Sequence, residues 1–343
     1  MIVVTMLIAF VVTLELTRRF CNPASRLHIL DHPNERSLHT QPLPRSGGVA
    51  VLGGLVAGGI ALSLYSNGGT LGVLLIDALP VALVSFLDDR FGISPAARIP
   101  AHLLAAAGLL GMGYAPGQLQ LPGLDWTAPS WIITPVVLLF VVWMINLYNF
   151  MDGMDGFAGG MAVVGFVSFA MLGLQAGHPP FAGASLVVAG AAAGFLVFNF
   201  PPARIFLGDT GSSTLGFLVA AFSLWGSRDG LFPLWLAGLL FSPFIVDATV
   251  TLTRRLSRSE KVWLPHKTHY YQRLVQLGPG GHRNTLLAEY ALMLACSLSV
   301  LLAVSLSPTA QIALALAWLL AYLLLMLGVR RLEERYSIRT SAS

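Results

Sequence analysis

Hydrophobic positions in this chain gather into long runs with short polar intervals between them. A helix needs about 20 predominantly apolar residues to cross a bilayer core of about 30 Å. Eleven segments are candidates, the shorter ones extending into their flanks: Met1–Leu16, Gly48–Tyr65, Thr70–Leu87, Ile99–Tyr114, Ser130–Tyr148, Phe157–Leu174, Phe181–Phe198, Gly211–Trp225, Leu231–Leu252, Leu287–Leu306 and Pro308–Leu327. The pattern therefore predicts an all-α polytopic membrane protein with about 11 transmembrane helices. No internal repeat is visible, and no polar stretch is long enough to fold alone. The chain reads as one integral-membrane unit over 1–343, with polar loops at 18–47, 88–98, 149–156, 199–210 and 253–286.

The basic residues test this count. Intervals after the odd-numbered segments, together with the C-terminal tail, hold nineteen of the twenty Lys and Arg residues; only Arg228 follows an even-numbered one. By the positive-inside rule the basic side is cytoplasmic. The first segment lacks a basic leader and a small-residue cleavage site, and Arg18 and Arg19 follow it directly. It is expected to be an uncleaved span with its N-terminus outside, which puts the C-terminus in the cytoplasm.

Composition agrees. Hydrophobic residues make up 55% and charged residues 10% of the 343, against about 25% charged in soluble domains. Disordered chains, collagen-like chains and ordinary soluble enzymes are excluded. The net charge of +4 reflects basic loops, and the aromatic-plus-basic pattern of a nucleic-acid module is absent. Cys21 and Cys296 have no paired metal-ligand spacing, so neither a disulfide framework nor a zinc site is expected.

Polar residues are expensive at membrane depth, and here they cluster at the edges of the predicted cytoplasmic loops. Asp31-His32-Pro33-Asn34 precedes Arg45-Ser46-Gly47-Gly48, where paired glycines beside Arg45 could admit a phosphate to backbone N–H groups; the alternative is a Pro/Gly helix start. Asp88 and Asp89 end the third segment. Adjacent carboxylates repel, and a helix C-terminus disfavours them, so a divalent cation, a proton or the neighbouring Arg90 and Arg98 must compensate. Asn146, Asn149, Asp152 and Asp155 recur every three residues at a helix end, an oxygen-only set suited to Mg²⁺ or to a sugar or base. Phe206-Leu207-Gly208-Asp209-Thr210-Gly211-Ser212 opens the eighth segment; Thr and Ser could cap it, or it could take an anion through a metal on Asp209. His266, Lys267, His269 and Arg273 lie in the longest basic loop and could bind phosphate, or lipid headgroups nonspecifically. Asp247 either shares this cavity or pairs with Arg254, while Asp77 and Glu289 carry no assignment. Acids that want Mg²⁺ and bases that want phosphate thus fall on one face. No Walker-type loop is present, and the chemistry indicated is phosphoryl transfer at the membrane surface.

These five motifs, in order on one side, resemble the polyprenyl-phosphate N-acetylhexosamine-1-phosphate transferases (glycosyltransferase family 4). The matching residues are Asp31-His32-Pro33-Asn34 with Arg45–Gly48, Asp88-Asp89, Asn149-Phe150-Met151-Asp152-Gly153-Met154-Asp155-Gly156, Phe206–Ser212, and Pro265-His266-Lys267-Thr268-His269. The resemblance implies an inner-membrane enzyme with its active site on the cytoplasmic face. Such enzymes use Mg²⁺ (Mn²⁺ as an alternative) to transfer a sugar 1-phosphate from a UDP-N-acetylhexosamine to undecaprenyl phosphate, releasing UMP. It further implies Asp209 as metal ligand, assisted by Asn149 or an acid of its motif. Asp88 would be the base or the residue orienting the acceptor, supported by Asp89. Asp152 and Asp155 would lie at the nucleotide sugar, with Phe206 on the uracil. His266, His269 and Arg273 would hold the diphosphate or sugar, and a homodimer is a family analogy. Direct displacement and an aspartyl intermediate both fit.

Gly92 stands where the peptidoglycan translocase branch has a lysine, and Lys267 and Thr268 separate histidines that are consecutive there. The run Arg90–Pro95 is closer to the O-antigen-initiating branch, which leaves GlcNAc, FucNAc or QuiNAc as the sugar. Two other classes compete: a transporter for an anion or lipid-linked sugar, which should carry polar residues at mid-membrane in two similar halves, and an intramembrane prenyltransferase, which should show a second spaced aspartate motif.

Overall fold

The computed structural model describes residues 1–33, 41–65, 69–122, 124–261, 267–277 and 281–341. Its helices are α1 (Ile2–Phe20), α2 (Gly47–Tyr65), α3 (Thr70–Asp77), α4 (Leu79–Phe91), α5 (Pro95–Gly111), α6 (Ser130–Phe150), α7 (Phe157–Gln175), α8 (Pro179–Asn199), α9 (Gly208–Arg228), α10 (Leu234–Leu240), α11 (Ser242–Ser257), α12 (Tyr270–Leu277), α13 (Gly281–Ala303) and α14 (Pro308–Ser341). Two antiparallel ribbons complete the described elements: β1 (Leu30–Asp31) with β2 (Leu43–Pro44), and β3 (Leu119–Leu121) with β4 (Leu124–Trp126). Each predicted apolar segment holds a helix or a bent helix pair.

Six helices are long and apolar enough to cross a membrane, and up to eight if each bent pair counts as one span. α5 has only 17 residues. α1 carries Glu15, Arg18 and Arg19 toward its end, and Thr, Ser and Gly dilute the start of α9. The bends follow from proline. Pro80 and Pro243 sit in the first turns of α4 and α11, where the ring removes an N–H and crowds the preceding turn. α3 and α4 meet at 45°, and α10 and α11 at 80°. At the sharper bend the Ser242 hydroxyl donates to the Leu239 carbonyl at 2.6 Å, satisfying an acceptor that the break releases.

α9 is the centre of the bundle, buried continuously from Thr210 to Gly226 and packed by α2, α4 and α6. The Ala/Gly-rich α7 and α8 pack against each other, and α1 covers α8. A Cβ at Gly190 or Gly194 would strike the carbonyls of Met6 or Phe10, so small residues set the close approach of α1 and α8, as expected in lipid. α14 is the opposite case, with only 6% of its apolar window buried within the protein.

Side-chain and backbone contacts join alternate helix ends. The end of α1 meets the segment before α9 through Cys21 and Arg204. The start of α2 meets Phe206 and Leu207, and the ends of α4 and α6 meet the start of α9. The polar clusters therefore converge at one end of the bundle. At the opposite end, Arg228 lies 4.2 Å from the Tyr114 ring centroid, and Trp225 donates to Asp229 at 2.7 Å.

Candidate active site

The first turn of α9 is the floor of the site. Gly208 has φ +72°, a left-handed conformation natural to glycine, and a Cβ there would press on the Arg45 carbonyl and the Asp89 carboxylate. Three other helices fix this turn. From α4, Asp89 accepts from Asp209 N (2.9 Å), Thr210 N (2.9 Å) and Thr210 Oγ1 (2.6 Å). From α6, Asn149 Nδ2 donates to Ser212 Oγ at 3.0 Å. From α2, the Gly48 N–H donates to the Leu207 carbonyl at 2.7 Å and the Gly47 N–H to that of Phe206 at 3.0 Å.

Two sequence expectations change here. The helix N-terminus expected to receive an anion is occupied by a carboxylate of the chain itself, that of Asp89, which is 3% exposed. The Gly47 and Gly48 N–H groups are spent on carbonyls and are not free to cradle a phosphate. Gly48 is small because a Cβ would collide with the Gly211 backbone. Arg45 lies beside this pair: its Nη2 donates to the Asp89 carbonyl, its Nε is 3.9 Å from the Asp89 carboxylate, and its Nη1 is 3.6 Å from Asp31.

Asp88 and Asp89, adjacent in sequence, part company. Successive residues on a helix point about 100° apart, so Asp88 turns toward α5. The left-handed Gly92 ends α4 and lets Asp88 Oδ1 accept from Ile93 N at 2.5 Å. Its Oδ2 lies 2.7 Å from Arg98 Nη1, and the same nitrogen lies 2.7 Å from Asp209 Oδ2. Asp88 and Asp209, 121 positions apart, thus converge on one cationic atom. Asp209 is the more open, 33% exposed against 12% for Asp88.

Asp152 retains some accessible surface. Burial of its carboxyl, reinforced by the charges of Asp209, Asp89 and Asp155, holds it well above the usual carboxylate range. Asp155 braces the loops instead, accepting from Ala203 N at 3.0 Å. Asn199 does the same, accepting from Gly156 N and donating to the Ile205 carbonyl, each at 2.9 Å. Phe206 is half-buried, its backbone held by Pro44 and Gly47.

The basic loop is arranged differently from the sequence expectation. Asp247 does not pair with Arg254. It caps α12, accepting from Tyr270 N (2.9 Å) and Tyr271 N (3.0 Å), and lies 3.1 Å from His269 Nδ1. His269 is consequently buried, 3% exposed. Arg273 does not present its fork to a substrate: Nε and Nη2 both donate to the Glu333 carboxylate of α14, and its guanidinium lies 4.8 Å from the Tyr270 ring centroid. His266, together with Asn34 of the first motif, lies outside the described residues.

The sequence offers Arg98 only as a counter-charge to Asp88 and Asp89, Thr210 and Ser212 only as helix caps, and Asp247 only as sharing the basic-loop cavity or pairing with Arg254; Asn199 has no expected role. Nor has His102, whose Nδ1 meets Asn146 Nδ2 at 3.2 Å one turn beneath the floor. Arg98 does act as that counter-charge, and its place adds a second signal: a cation in the first turn of a helix is on the wrong end of the dipole. Among the described residues no group of three or more His, Cys, Asp or Glu side chains could hold a metal ion. The geometry offers the acid pair Asp88 and Asp209, with Asn149 meeting the same α9 turn through Ser212. These are hard oxygen donors, the chemistry Mg²⁺ takes while keeping several waters.

The matching family model, described as Glycosyl transferase family 4, covers residues 71–227, which run from α3 to the end of α9. The chain is 30% identical over 303 residues to a probable undecaprenyl-phosphate N-acetylglucosaminyl 1-phosphate transferase of Bacillus subtilis (strain 168), covering 88% of this chain and 84% of that protein. It is 33% identical over 305 residues to a decaprenyl-phosphate N-acetylglucosaminephosphotransferase of Mycobacterium tuberculosis (strain ATCC 25618 / H37Rv), covering 78% and 74%. It is 28% identical over 291 residues to the undecaprenyl-phosphate alpha-N-acetylglucosaminyl 1-phosphate transferase of Escherichia coli (strain K12), covering 81% and 77%. The apolar helices and these relatives together define a polytopic membrane transferase. Within that class, the chain belongs to the polyprenyl-phosphate N-acetylhexosamine-1-phosphate transferase family.

Proposed function

We propose that this enzyme transfers N-acetylglucosamine 1-phosphate from UDP-N-acetylglucosamine to undecaprenyl phosphate and releases UMP, the first lipid-linked step of a cell-surface polysaccharide such as O-antigen. The observation that carries this reading is the convergence of Asp88 and Asp209, from two helices, on one cation position at the polar end of the bundle. The names of the three relatives favour N-acetylglucosamine over the deoxy sugars. The inner membrane is the proposed location. The charge partition along the chain supports eleven membrane passes, an external N-terminus and a cytoplasmic site. The concentration of acids at that end, not at mid-bundle, argues against a transporter.

In the reaction, an oxygen of the acceptor phosphate attacks the sugar-linked phosphorus while the bond from that phosphorus to the UMP oxygen breaks. One phosphoanhydride replaces another, so positioning and charge neutralisation carry the catalysis. A phosphate monoester has its second pKa near about 6, so the acceptor arrives ionised and needs little help from a base. Asp88 is therefore assigned to the cation site with Asp209, and Asn149, which holds Ser212 one turn along α9, is assigned to assist. Mg²⁺ bound there would neutralise the diphosphate as charge moves onto the leaving UMP. Asp152 is assigned to the nucleotide sugar. Phe206 offers a face for the uracil, and Arg45 adds positive charge on the α2 side.

The test uses purified protein in detergent with undecaprenyl phosphate, Mg²⁺ and a panel of UDP-N-acetylhexosamines, following UMP and prenyl-linked product. Acceptor-dependent UMP release, lost with EDTA and in Asp209→Asn, is the expected result. Folded protein that binds none of the UDP-sugars and turns over none would overturn the proposal.

A further inference from the structure

The turn between α4 and α5 carries two arginines, and the structure treats them differently. Arg90 lies over the exposed Phe91 ring, its guanidinium 5.7 Å from the centroid. Arg98, only 12% exposed, places one nitrogen 2.7 Å from Asp88 Oδ2 and 2.7 Å from Asp209 Oδ2. Its Nε is buried without a hydrogen-bond partner. The first turn of α5 is an unfavourable place for a cation, so the two carboxylates, not the helix, hold the guanidinium there.

We infer that Arg98 is the resident counter-ion of the cation site: its guanidinium holds the position between Asp88 and Asp209 when no metal is bound, and a divalent cation enters only by displacing it. This rests on the proposal that Asp88 and Asp209 hold the metal. Two carboxylates facing each other from separate helices repel, and a cation between them keeps them converged. Mg²⁺ coordinates oxygen at about 2.0–2.1 Å. A nitrogen already within hydrogen-bond distance of both Oδ2 atoms competes with a metal bridging them. Arg98 preserves the acids' arrangement in the metal-free enzyme and at the same time weakens binding of free metal.

The experiment is a Mn²⁺ titration of the full-length protein in detergent without substrate, reading free Mn²⁺ by electron paramagnetic resonance. Wild type, Arg98→Gln, Arg98→Lys and Asp209→Asn are compared, with melting temperatures measured in parallel. Removing the competing charge should tighten Mn²⁺ binding at least tenfold in Arg98→Gln. Arg98→Lys, which keeps the charge, should stay within threefold of wild type. Without metal Arg98→Gln should melt below wild type, and Mn²⁺ should raise its melting temperature by more than it raises the wild type's. Should glutamine disturb folding, Arg98→Met keeps the apolar stem and serves the same comparison. Equal or weaker Mn²⁺ binding in the neutral variants would overturn the inference while leaving the metal site standing. Absence in every protein of a Mn²⁺ site sensitive to Asp209→Asn would remove the metal site and the inference together.

Discussion

Replacing Asp89 by Asn tests whether adjacent acids in one motif do different work. Asp89 is 3% exposed and accepts three hydrogen bonds from the start of α9, with Arg45 Nε 3.9 Å away. The amide retains one acceptor oxygen and turns an NH₂ toward at least one of those donors. A buried donor left facing a donor costs about 1–3 kcal/mol. The bonds that survive lose their charge assistance, roughly half their strength, and Arg45 loses a carboxylate neighbour. Together these point to about 3 kcal/mol, the low end of the 3–5 kcal/mol lost on breaking a buried charge pair. Fluorescence-monitored melting in detergent, without metal or substrate, should show Asp89→Asn several degrees below wild type, with UMP release falling in parallel as the α9 turn loosens. Asp88→Asn should lose UMP release while melting closer to wild type, because Arg98 keeps Asp209. An Asp89→Asn protein that melts with wild type would refute the assignment, and if it were also inactive, Asp89 would belong to the chemistry.

Three further outcomes are expected. Asp152 has its carboxyl raised by burial and neighbouring charges, so the folded state binds a proton that the unfolded chain releases, and stability falls as pH rises from the ordinary carboxylate range toward the raised value. Asp152→Asn should therefore melt above wild type at pH 8, with the gap shrinking toward pH 4; a pH-independent gap would contradict the burial argument. Gly48→Ala places a methyl against the Gly211 backbone and should cost about 1–3 kcal/mol by overpacking, read in the same melting assay. Arg273 and Glu333 form a two-point pair between α12 and α14. A double-mutant cycle with alanine at both positions should give a coupling of about 1 kcal/mol or more, and additive effects would show that the pair does not tie α14 to the loop.

The helices were legible because an apolar run of span length leaves few alternatives, and the polar clusters because charge at membrane depth is costly. Partner choice was legible for Arg98, a counter-charge near the adjacent acids, and little further. Asp88-Asp89 reads in sequence as one unit, but neighbours on a helix face different helices, and one caps α9 while the other meets α5. Gly47 and Gly48 have the composition of a phosphate-approach loop, yet the neighbouring backbone takes their N–H groups. The same limit applies to Asp247, which caps a short helix that no apolar run announced, and to Arg273, whose partner lies 60 positions away.

These corrections share one physical logic. A carboxylate at a membrane edge can meet backbone N–H groups, a guanidinium or a metal, and only the first two can be supplied by the chain itself. Asp89, Asp155 and Asp247 take backbone N–H groups, and their charge is spent on holding loops and helix ends. Asp88 and Asp209 share a single guanidinium nitrogen, so two negative charges face one positive charge. Asp152 has neither kind of partner in the hydrogen bonds and ion pairs of the described residues, and burial raises its carboxyl instead. Where the chain's own donors fall short of the acids present, a cation from solution binds most favourably, and in this bundle that place is the Asp88–Asp209 pair. Within the motif Asn149 to Asp155, Asn149 and Asp155 also brace the neighbouring backbone and helix turn.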